Sequence, residues 1–184
     1  RPSLMWVSRS VEDALKTSGL TLKDIQVLAC GVGPGGFTSL RIGMSFMKAI
    51  GQAIGIPVVG VNRLEAAAMG QHLRGNRDES GRSSCVYLVR LPAAQDLEYA
   101  AIYRIESGGL PVCLREPAAM PPQKISRLRV PKSARLVTAQ LDLFFDGIPR
   151  VAALKAEAGQ AAPAEHLLPL YLRGATLGPP KGRP

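Results

Sequence analysis

A glycine-rich stretch is the part of the sequence whose residue types and spacing most clearly suggest chemistry. Gly31-x-Gly33-x-x-Gly36 matches the spacing of dinucleotide-binding loops, in which glycines let the backbone approach a pyrophosphate. That fingerprint needs an acid about 20 residues later, at the end of the next strand, and residues 61–62 supply none. Pro34 removes one backbone donor from the turn, and no Gly-Lys-Ser/Thr follows to make a Walker loop. Phosphate binding and a tight strand-to-helix crossover therefore both remain open.

The helix expected after this stretch could hold an anion at its first turn. Thr38 is a suitable N-cap, and Thr38, Ser39 and the free backbone amides would face such an anion. Arg41 lies in the same turn, where a cation opposes the helix dipole. Its position predicts a specific partner, either an acid or a phosphate.

Other side chains offer little material for catalysis. His72 and His166 are far apart, and neither has a second histidine at metal-ligand spacing. The paired acids at 12–13 and 78–79 are expected to be solvated surface charges, and no Ser-His-Asp set is evident. We therefore predict no catalytic residues and no metal site. Cys30, Cys85 and Cys113 are odd in number and dispersed, which predicts three buried thiols in a reducing cytosol.

The elements that position the glycine stretch alternate between helix and strand. Apolar spacing predicts a helix over 3–18 that Gly19 ends, a buried strand over 25–30, a helix over 38–54 that Gly55 ends, and a strand over 58–61. Asn62 and Glu65 resemble a capping box for a helix from 63 to about 73. This order indicates an α/β layer with parallel strands.

The second half of the chain has a different pattern, in which strands are expected to follow one another. The polar stretch 75–84 is the best boundary. Strands are expected at 85–91 and 99–105, with an edge strand at best over 110–114 because of Pro111. Pro117, Pro121 and Pro122 are expected to break regular structure. A strand at 136–138, a short helix at 151–158 and a disordered tail complete the prediction.

The amino-acid composition limits the classes of function that are possible. The 184 residues carry 23 Lys and Arg against 14 Asp and Glu, a formal net charge of +9, and 5% aromatic residues. No apolar run is long enough to cross a membrane, and aromatic residues are too few for an obvious base-stacking surface. Residues 115–135 hold six basic residues and one acid, Glu116. This stretch could bind RNA or an acidic partner, or could simply be solvated.

Residues 31–43, Gly-Val-Gly-Pro-Gly-Gly-Phe-Thr-Ser-Leu-Arg-Ile-Gly, resemble the signature G-x-G-P-G-S-F-T-G-L-R-I-G of the TsaB (YeaZ) family. They depart from it at Gly36 and Ser39. The resemblance continues through residues 48–49, 55–61 and 64–66 and returns at 169–173. The motif positions carried over from the family are Gly31, Gly33, Pro34, Gly35, Gly36, Phe37, Thr38, Arg41 and Gly43.

The resemblance implies a two-lobed, actin-like (ASKHA) α/β fold. The first lobe would span 1–74 and bind a partner, the second would span 85–173, and 174–184 would be a disordered tail. It further implies a cytoplasmic, non-catalytic scaffold that binds and activates TsaD. TsaD, with the ATPase TsaE, transfers threonylcarbamoyl to the adenosine beside the tRNA anticodon. The older glycoprotease label implies no activity that we expect here.

The same resemblance carries expectations about partners and missing parts. The chain would have no cofactor of its own, although ATP or ADP could lie at the complex interface. It would meet tRNA indirectly and no membrane, and could homodimerise without TsaD. The family opens with three antiparallel strands that this sequence lacks, which predicts an incomplete first sheet. The expected partner interface comprises Met5, Trp6, Phe46 and Met47. Alternatives are a small ATP-binding, kinase-like enzyme of this fold and a basic RNA-binding module.

Overall fold

The computed structural model describes residues 4–75 and 84–172, so most of the predicted 75–84 boundary and the predicted tail lie outside the described residues. Mixed α/β structure is found throughout this range, which confirms the predicted class. The elements in chain order are α1 (Leu4–Ser18), β1 (Leu28–Gly33), α2 (Phe37–Ile54), β2 (Val58–Asn62), α3 (Arg63–Gly75), β3 (Ser84–Pro92), β4 (Glu98–Glu106), β5 (Val112–Met120), α4 (Pro122–Ile125), β6 (Arg135–Thr138) and α5 (Leu141–Glu157).

The sheet in the part of the chain predicted as the first lobe consists of β1 and β2, which pair in parallel as predicted, from Leu28 opposite Val58 to Gly33 opposite Asn62. The names first lobe and second lobe are kept below for the two predicted parts. The predicted strand over 25–30 was placed three residues too early. The side chain of Asp24 accepts hydrogen bonds from the Thr21 backbone and hydroxyl and fixes a short 3-10 turn there. The strand consequently begins later and continues into the glycines.

The second lobe is a four-stranded sheet in the order β5-β4-β3-β6. β3 pairs with β4 antiparallel and with β6 in parallel. β5 is longer than the predicted edge strand and runs through Pro117, which was expected to break regular structure. The ladder is irregular there, since Ala100 pairs with Ala118 but Ile102 pairs with Arg115. An edge strand with a bulge tolerates a residue that cannot donate a hydrogen bond.

Helix α5 packs against α3, β1 and β2. It is longer than the short helix predicted over 151–158, so that prediction is wrong about where the helix begins. It begins ten residues earlier, at Leu141, and contains Pro149. Tight packing against α3 compensates for the proline. A Cβ atom on Gly147 would lie 1.8 Å from the Ala66 carbonyl oxygen, and one on Gly70 would lie 2.2 Å from that of Leu143. The two helix backbones therefore touch directly.

Two buried polar pairs lie in the core that α3 and α5 share with the sheets. Lys155 Nζ donates to Glu65 Oε2 at 2.7 Å and lies 3.4 Å from the Gly60 carbonyl oxygen. The carboxylate of Glu65 thus pairs with α5 and not with its own helix start as the capping box predicted. The Asn62 side chain does cap α3, because its Oδ1 accepts from the Leu64 backbone at 2.9 Å. His72 is 4% exposed, and its Nδ1 lies 3.0 Å from the Tyr87 hydroxyl.

The three cysteines are free, but only Cys30 is buried. Burial raises the pKa of the Cys30 thiol to about 11. Cys85 is half-buried and Cys113 is exposed, so the prediction of three buried thiols is wrong. Cys113 lies on the first half of β5, whose side chains are solvent-exposed as far as Glu116.

After α5 the chain returns to the first lobe. This return segment, residues 161–171, pairs with β2 through mutual backbone hydrogen bonds between Val58 and Ala162. Its Ala164 and Leu167 are buried against Cys30 and Met44. Residues assigned by sequence to the second lobe therefore complete the packing of the first.

Candidate functional site

The glycine loop, residues 31–37, connects β1 to α2. β1 ends at Gly33, whose φ of +120° lies in a region that favours glycine. α2 begins at Phe37 with Gly36 as its N-cap, so the expectation that Thr38 is the cap is wrong. Gly36 is the N-cap because its carbonyl oxygen accepts the first hydrogen bond of the helix, from the Leu40 backbone N–H at 3.0 Å. The loop is thus a sharp strand-to-helix turn.

The return segment occupies the side of the loop that Gly33 leaves open. The Leu170 backbone N–H donates to the Val32 carbonyl at 2.8 Å. A Cβ atom on Gly33 would lie 2.8 Å from the Leu170 carbonyl oxygen, which only glycine permits. The ring of Tyr171 stacks on Phe37 with centroids 5.1 Å apart. The glycine at 33 therefore admits the protein's own backbone.

Arg63 closes the loop from the α3 side. Its Nη1 donates to the Pro34 carbonyl at 3.1 Å, and its guanidinium lies over the Phe144 ring, 4.4 Å from the centroid. Burial lowers the pKa of this arginine. A Cβ atom on Gly35 would lie 2.8 Å from the same Nη1. Arg63 was not singled out by sequence, and only its position at the start of a helix facing the glycines could have indicated it.

Arg41 pairs with no acid among the described residues, and a phosphate partner stays a prediction. Its guanidinium lies over the Phe37 ring, 5.1 Å from the centroid. The aromatic face offsets the unfavourable position of a cation in the first helical turn. The loop is a strand-to-helix crossover, and phosphate binding at the exposed start of α2 stays a prediction.

Helix α1 presents a different kind of surface. Met5 and Trp6 are 82% and 65% exposed. Between Met5 and Ser18 no residue is fully buried, and the apolar stripe of Val7, Val11 and Leu15 is only half-buried. A helix of this length gains most of its stability from packing, so α1 retains apolar surface that a partner could cover.

The other two residues expected at an interface lie on α2. Met47 packs against the buried cluster around Cys30 and Met44, while Phe46 is half-buried outside that cluster. Gly43 lies one turn earlier on the same face, and a Cβ atom there would meet nothing within 4 Å. The packing of Met47 gives it a structural role of its own. Whether these side chains contact a partner stays a prediction.

No group of three or more His, Cys, Asp or Glu residues is positioned to hold a metal within 4–75 and 84–172. Over the same residues, no helix combines the length and the apolarity needed to cross a bilayer. The paired acids Glu12 and Asp13 are exposed on α1, as predicted, whereas the pair at 78–79 lies outside the described residues. His166 is exposed in a 3-10 turn of the return segment and is far from His72 in the sequence.

The glycine loop and the elements around it lie in a part of the chain that matches a known protein family. The family model for TsaD, tRNA N6-adenosine threonylcarbamoyltransferase, matches residues 2–101, more than half of the chain. The chain belongs to the TsaD family. Its glycine loop, α2, β2 and α3 all lie within the matched range, and the actin-like fold that the TsaB resemblance implied is confirmed.

Two individual relatives of the TsaD family show how similar the sequences are and over how many residues. TsaB of Escherichia coli (strain K12), a tRNA threonylcarbamoyladenosine biosynthesis protein, is 43% identical over 60 residues, which are 33% of this chain and 26% of that protein. The threonylcarbamoyltransferase of Tropheryma whipplei (strain Twist) is 42% identical over 73 residues, 40% of this chain and 18% of that protein. The aligned part is thus about a quarter or less of these two relatives.

Solved structures extend the likeness in fold to almost the whole TsaD-family chain. YeaZ from Pseudomonas aeruginosa superposes with a TM-score of 0.73 at 23% identity, covering 94% of this chain and 85% of that one. A Pseudomonas aeruginosa protein described as similar to peptidase YEAZ gives 0.68 at 24% identity, covering 89% and 81%. The resemblance to TsaB (YeaZ) is thereby confirmed. The missing opening strands stay a prediction.

Proposed function

We propose that this chain is a non-catalytic subunit that binds TsaD and supports the transfer of threonylcarbamoyl to the adenosine beside the tRNA anticodon. Family membership supplies the pathway, because TsaD and TsaB are named for this tRNA modification. The observation that carries the scaffold role is α1, an amphipathic helix with exposed Met5 and Trp6 and no fully buried residue from Met5 onward. Such a helix gains stability when a partner covers it.

The interface that we propose combines α1 with the neighbouring face of α2. α1 packs on α2, so the exposed aromatic residue of one helix and Phe46 of the other belong to adjacent elements. Gly43 leaves open space beside Phe46, which lets a second backbone approach closely. Trp and Met are enriched in the cores of protein interfaces. These features fit a helix-packing partner better than a small-molecule substrate.

The contacts around the glycine loop support a non-catalytic role for this chain. The return segment and Arg63 contact the loop backbone where a dinucleotide-binding protein would hold a pyrophosphate. These contacts count against the kinase-like alternative. We propose that any ATP or ADP binds at the interface of the complex. Binding of TsaE and homodimerisation without TsaD belong to the same proposal, with α1 as the shared surface.

Co-purification with TsaD from the same organism tests this proposal. We expect Trp6→Asp to weaken TsaD binding by at least about 30-fold, the effect of losing one interfacial hot spot. Because Trp6 is the one tryptophan in the sequence, its fluorescence should shift to shorter wavelength when wild-type chain binds TsaD.

Phe145→Asp is the matched control, since Phe145 is 70% exposed on α5 and distant in sequence from α1. Circular dichroism should show both variants folded. Equal TsaD binding by Trp6→Asp and Phe145→Asp would contradict the proposed interface.

A further inference from the structure

The outer segment, residues 121–134, crosses the face of the second sheet that points away from α3 and α5. It begins with α4 and leads from β5 at one edge of the sheet to β6 at the other. Leu88, Ala100 and Ile102 form the sheet side of a separate buried cluster beneath it. The outer segment therefore forms the surface of the second lobe on this side.

Side chains alternate between the two sides of the outer segment. Ile125 is buried, and Leu128 and Val130 are half-buried against the same cluster. Exposed cations lie before, between and after these apolar residues. These outer cations are Lys124, Arg127, Arg129 and Lys132. The apolar residues pack against the sheet, and the four cations stay exposed on the same short segment.

Acidic residues are absent from the stretch of sequence that carries these cations. The sequence contains no Asp or Glu from 117 to 141. Some cations elsewhere in the described part of the chain do make ion pairs: Arg74 with Asp142 and Asp146, Arg90 with Glu98, and Lys155 with Glu65. None of the four outer cations makes an ion pair with a described residue. Four like charges on a rigid surface favour a polyanion as partner.

We propose that the outer cations bind the phosphate backbone of RNA. Choosing RNA among polyanions rests on the proposed function, which places the chain beside tRNA. The sequence from 104 to 143 contains no aromatic residue, so this stretch itself supplies no side chain for base stacking. Contacts from arginine and lysine to phosphate position a protein on nucleic acid without reading its sequence. The surface therefore orients the tRNA, while the choice of base belongs to the partner.

The test is fluorescence anisotropy of labelled, unmodified tRNA titrated with the full chain at several KCl concentrations. Four phosphate contacts predict a slope of log K against log salt of about −3, so affinity falls roughly 100-fold between 50 and 200 mM. The variant Lys124→Gln, Arg127→Gln, Arg129→Gln should reduce this slope by about 2 to 3. At 50 mM KCl it should bind tRNA at least about tenfold more weakly than wild type.

The matched control removes three exposed cations from the first lobe, as Arg9→Gln, Lys16→Gln, Lys23→Gln. It has the same net charge as the test variant, and its salt slope should change by less than about 1. Equal loss of tRNA binding in both variants would overturn the proposal, because net charge alone would then explain it. Tighter binding to vesicles containing phosphatidylserine, or to polyglutamate, than to tRNA would also overturn it.

Co-purification with TsaD separates this inference from the proposed function. If the outer-cation variant retains TsaD and still binds tRNA like wild type, the RNA surface is wrong and the scaffold role stands. If Trp6→Asp retains TsaD while the outer-cation variant loses tRNA, the scaffold role fails and an RNA surface remains.

Discussion

Helices α3 and α1 have similar lengths but opposite surroundings. α3 buries every residue from Leu64 to Gly70, and glycine contacts bring its backbone against α5. α1 has no fully buried residue between Met5 and Ser18 and exposes Met5 and Trp6. The difference separates two roles: the α3–α5 pair stabilises the fold, whereas the α1–α2 face keeps exposed apolar side chains, which we propose serve association.

The largest effect should come from breaking the α3–α5 contact. In Gly147→Ala the new methyl group would lie 1.8 Å from the Ala66 carbonyl oxygen, so the helices must move apart. We expect a loss of about 3 kcal/mol or more in the free energy of unfolding, from overpacking of backbone against backbone. Urea denaturation followed by circular dichroism measures this change. A value within about 0.5 kcal/mol of wild type would contradict the close packing.

A smaller effect should follow from acidification, acting through His72 on α3. Burial, and then the charge of Arg135, lower the pKa of His72. The folded protein therefore keeps this side chain neutral, whereas the unfolded chain takes up a proton below a pH of about 6.5. Stability should fall as pH drops from that value, by at most about 1.4 kcal/mol per pH unit for this one group.

Urea denaturation between pH 7 and pH 5 measures the effect of His72. In His72→Phe this part of the pH dependence should disappear, although the Tyr87 hydroxyl also loses its partner. His166→Gln is the control, since His166 is exposed and should leave the pH profile unchanged. An identical profile in wild type and His72→Phe would show that His72 is not the group responsible.

The smallest effect should come from Gly43→Ala on the association face. A Cβ atom there meets nothing within 4 Å, so alanine should stabilise the free chain by about 0.5–1 kcal/mol through its better helix propensity. If a partner helix approaches at Gly43, the same change should weaken TsaD binding. Opposite signs for stability and binding would sharpen the contrast between the two helices. An increase in both would place the partner elsewhere.

Local signals in the sequence predicted much of the first lobe. Gly19 and Gly55 adopt the left-handed conformation that ends a helix, and the parallel pairing of β1 with β2 follows from the intervening helix. The start of α5 was missed because Pro149 argues locally against a helix. Only the packing against α3, which lies about 80 residues away along the chain, stabilises it.

The contacts that other segments make with the glycine loop could not be predicted from the local sequence. The motif correctly identified a strand-to-helix turn, but the spacing of glycines is the same whether a phosphate or a protein backbone approaches them. Here the backbone of Leu170 approaches Gly33. Arg63 was equally hidden, because its role depends on the fold bringing Pro34 and Phe144 to either side of its guanidinium. Such contacts between distant segments carry no local pattern.

The return segment also has a consequence for synthesis on the ribosome. Val32 must wait for Leu170, about 140 residues later, before its carbonyl is paired; at 5–20 residues per second this takes roughly 7–30 s. During that interval β2 lacks its contact with Ala162, and the apolar cluster around Cys30 lacks Leu167. The strands of the first lobe are therefore synthesised well before the segment that completes their packing, and a nascent chain exposes this surface until residues 162–170 have been made.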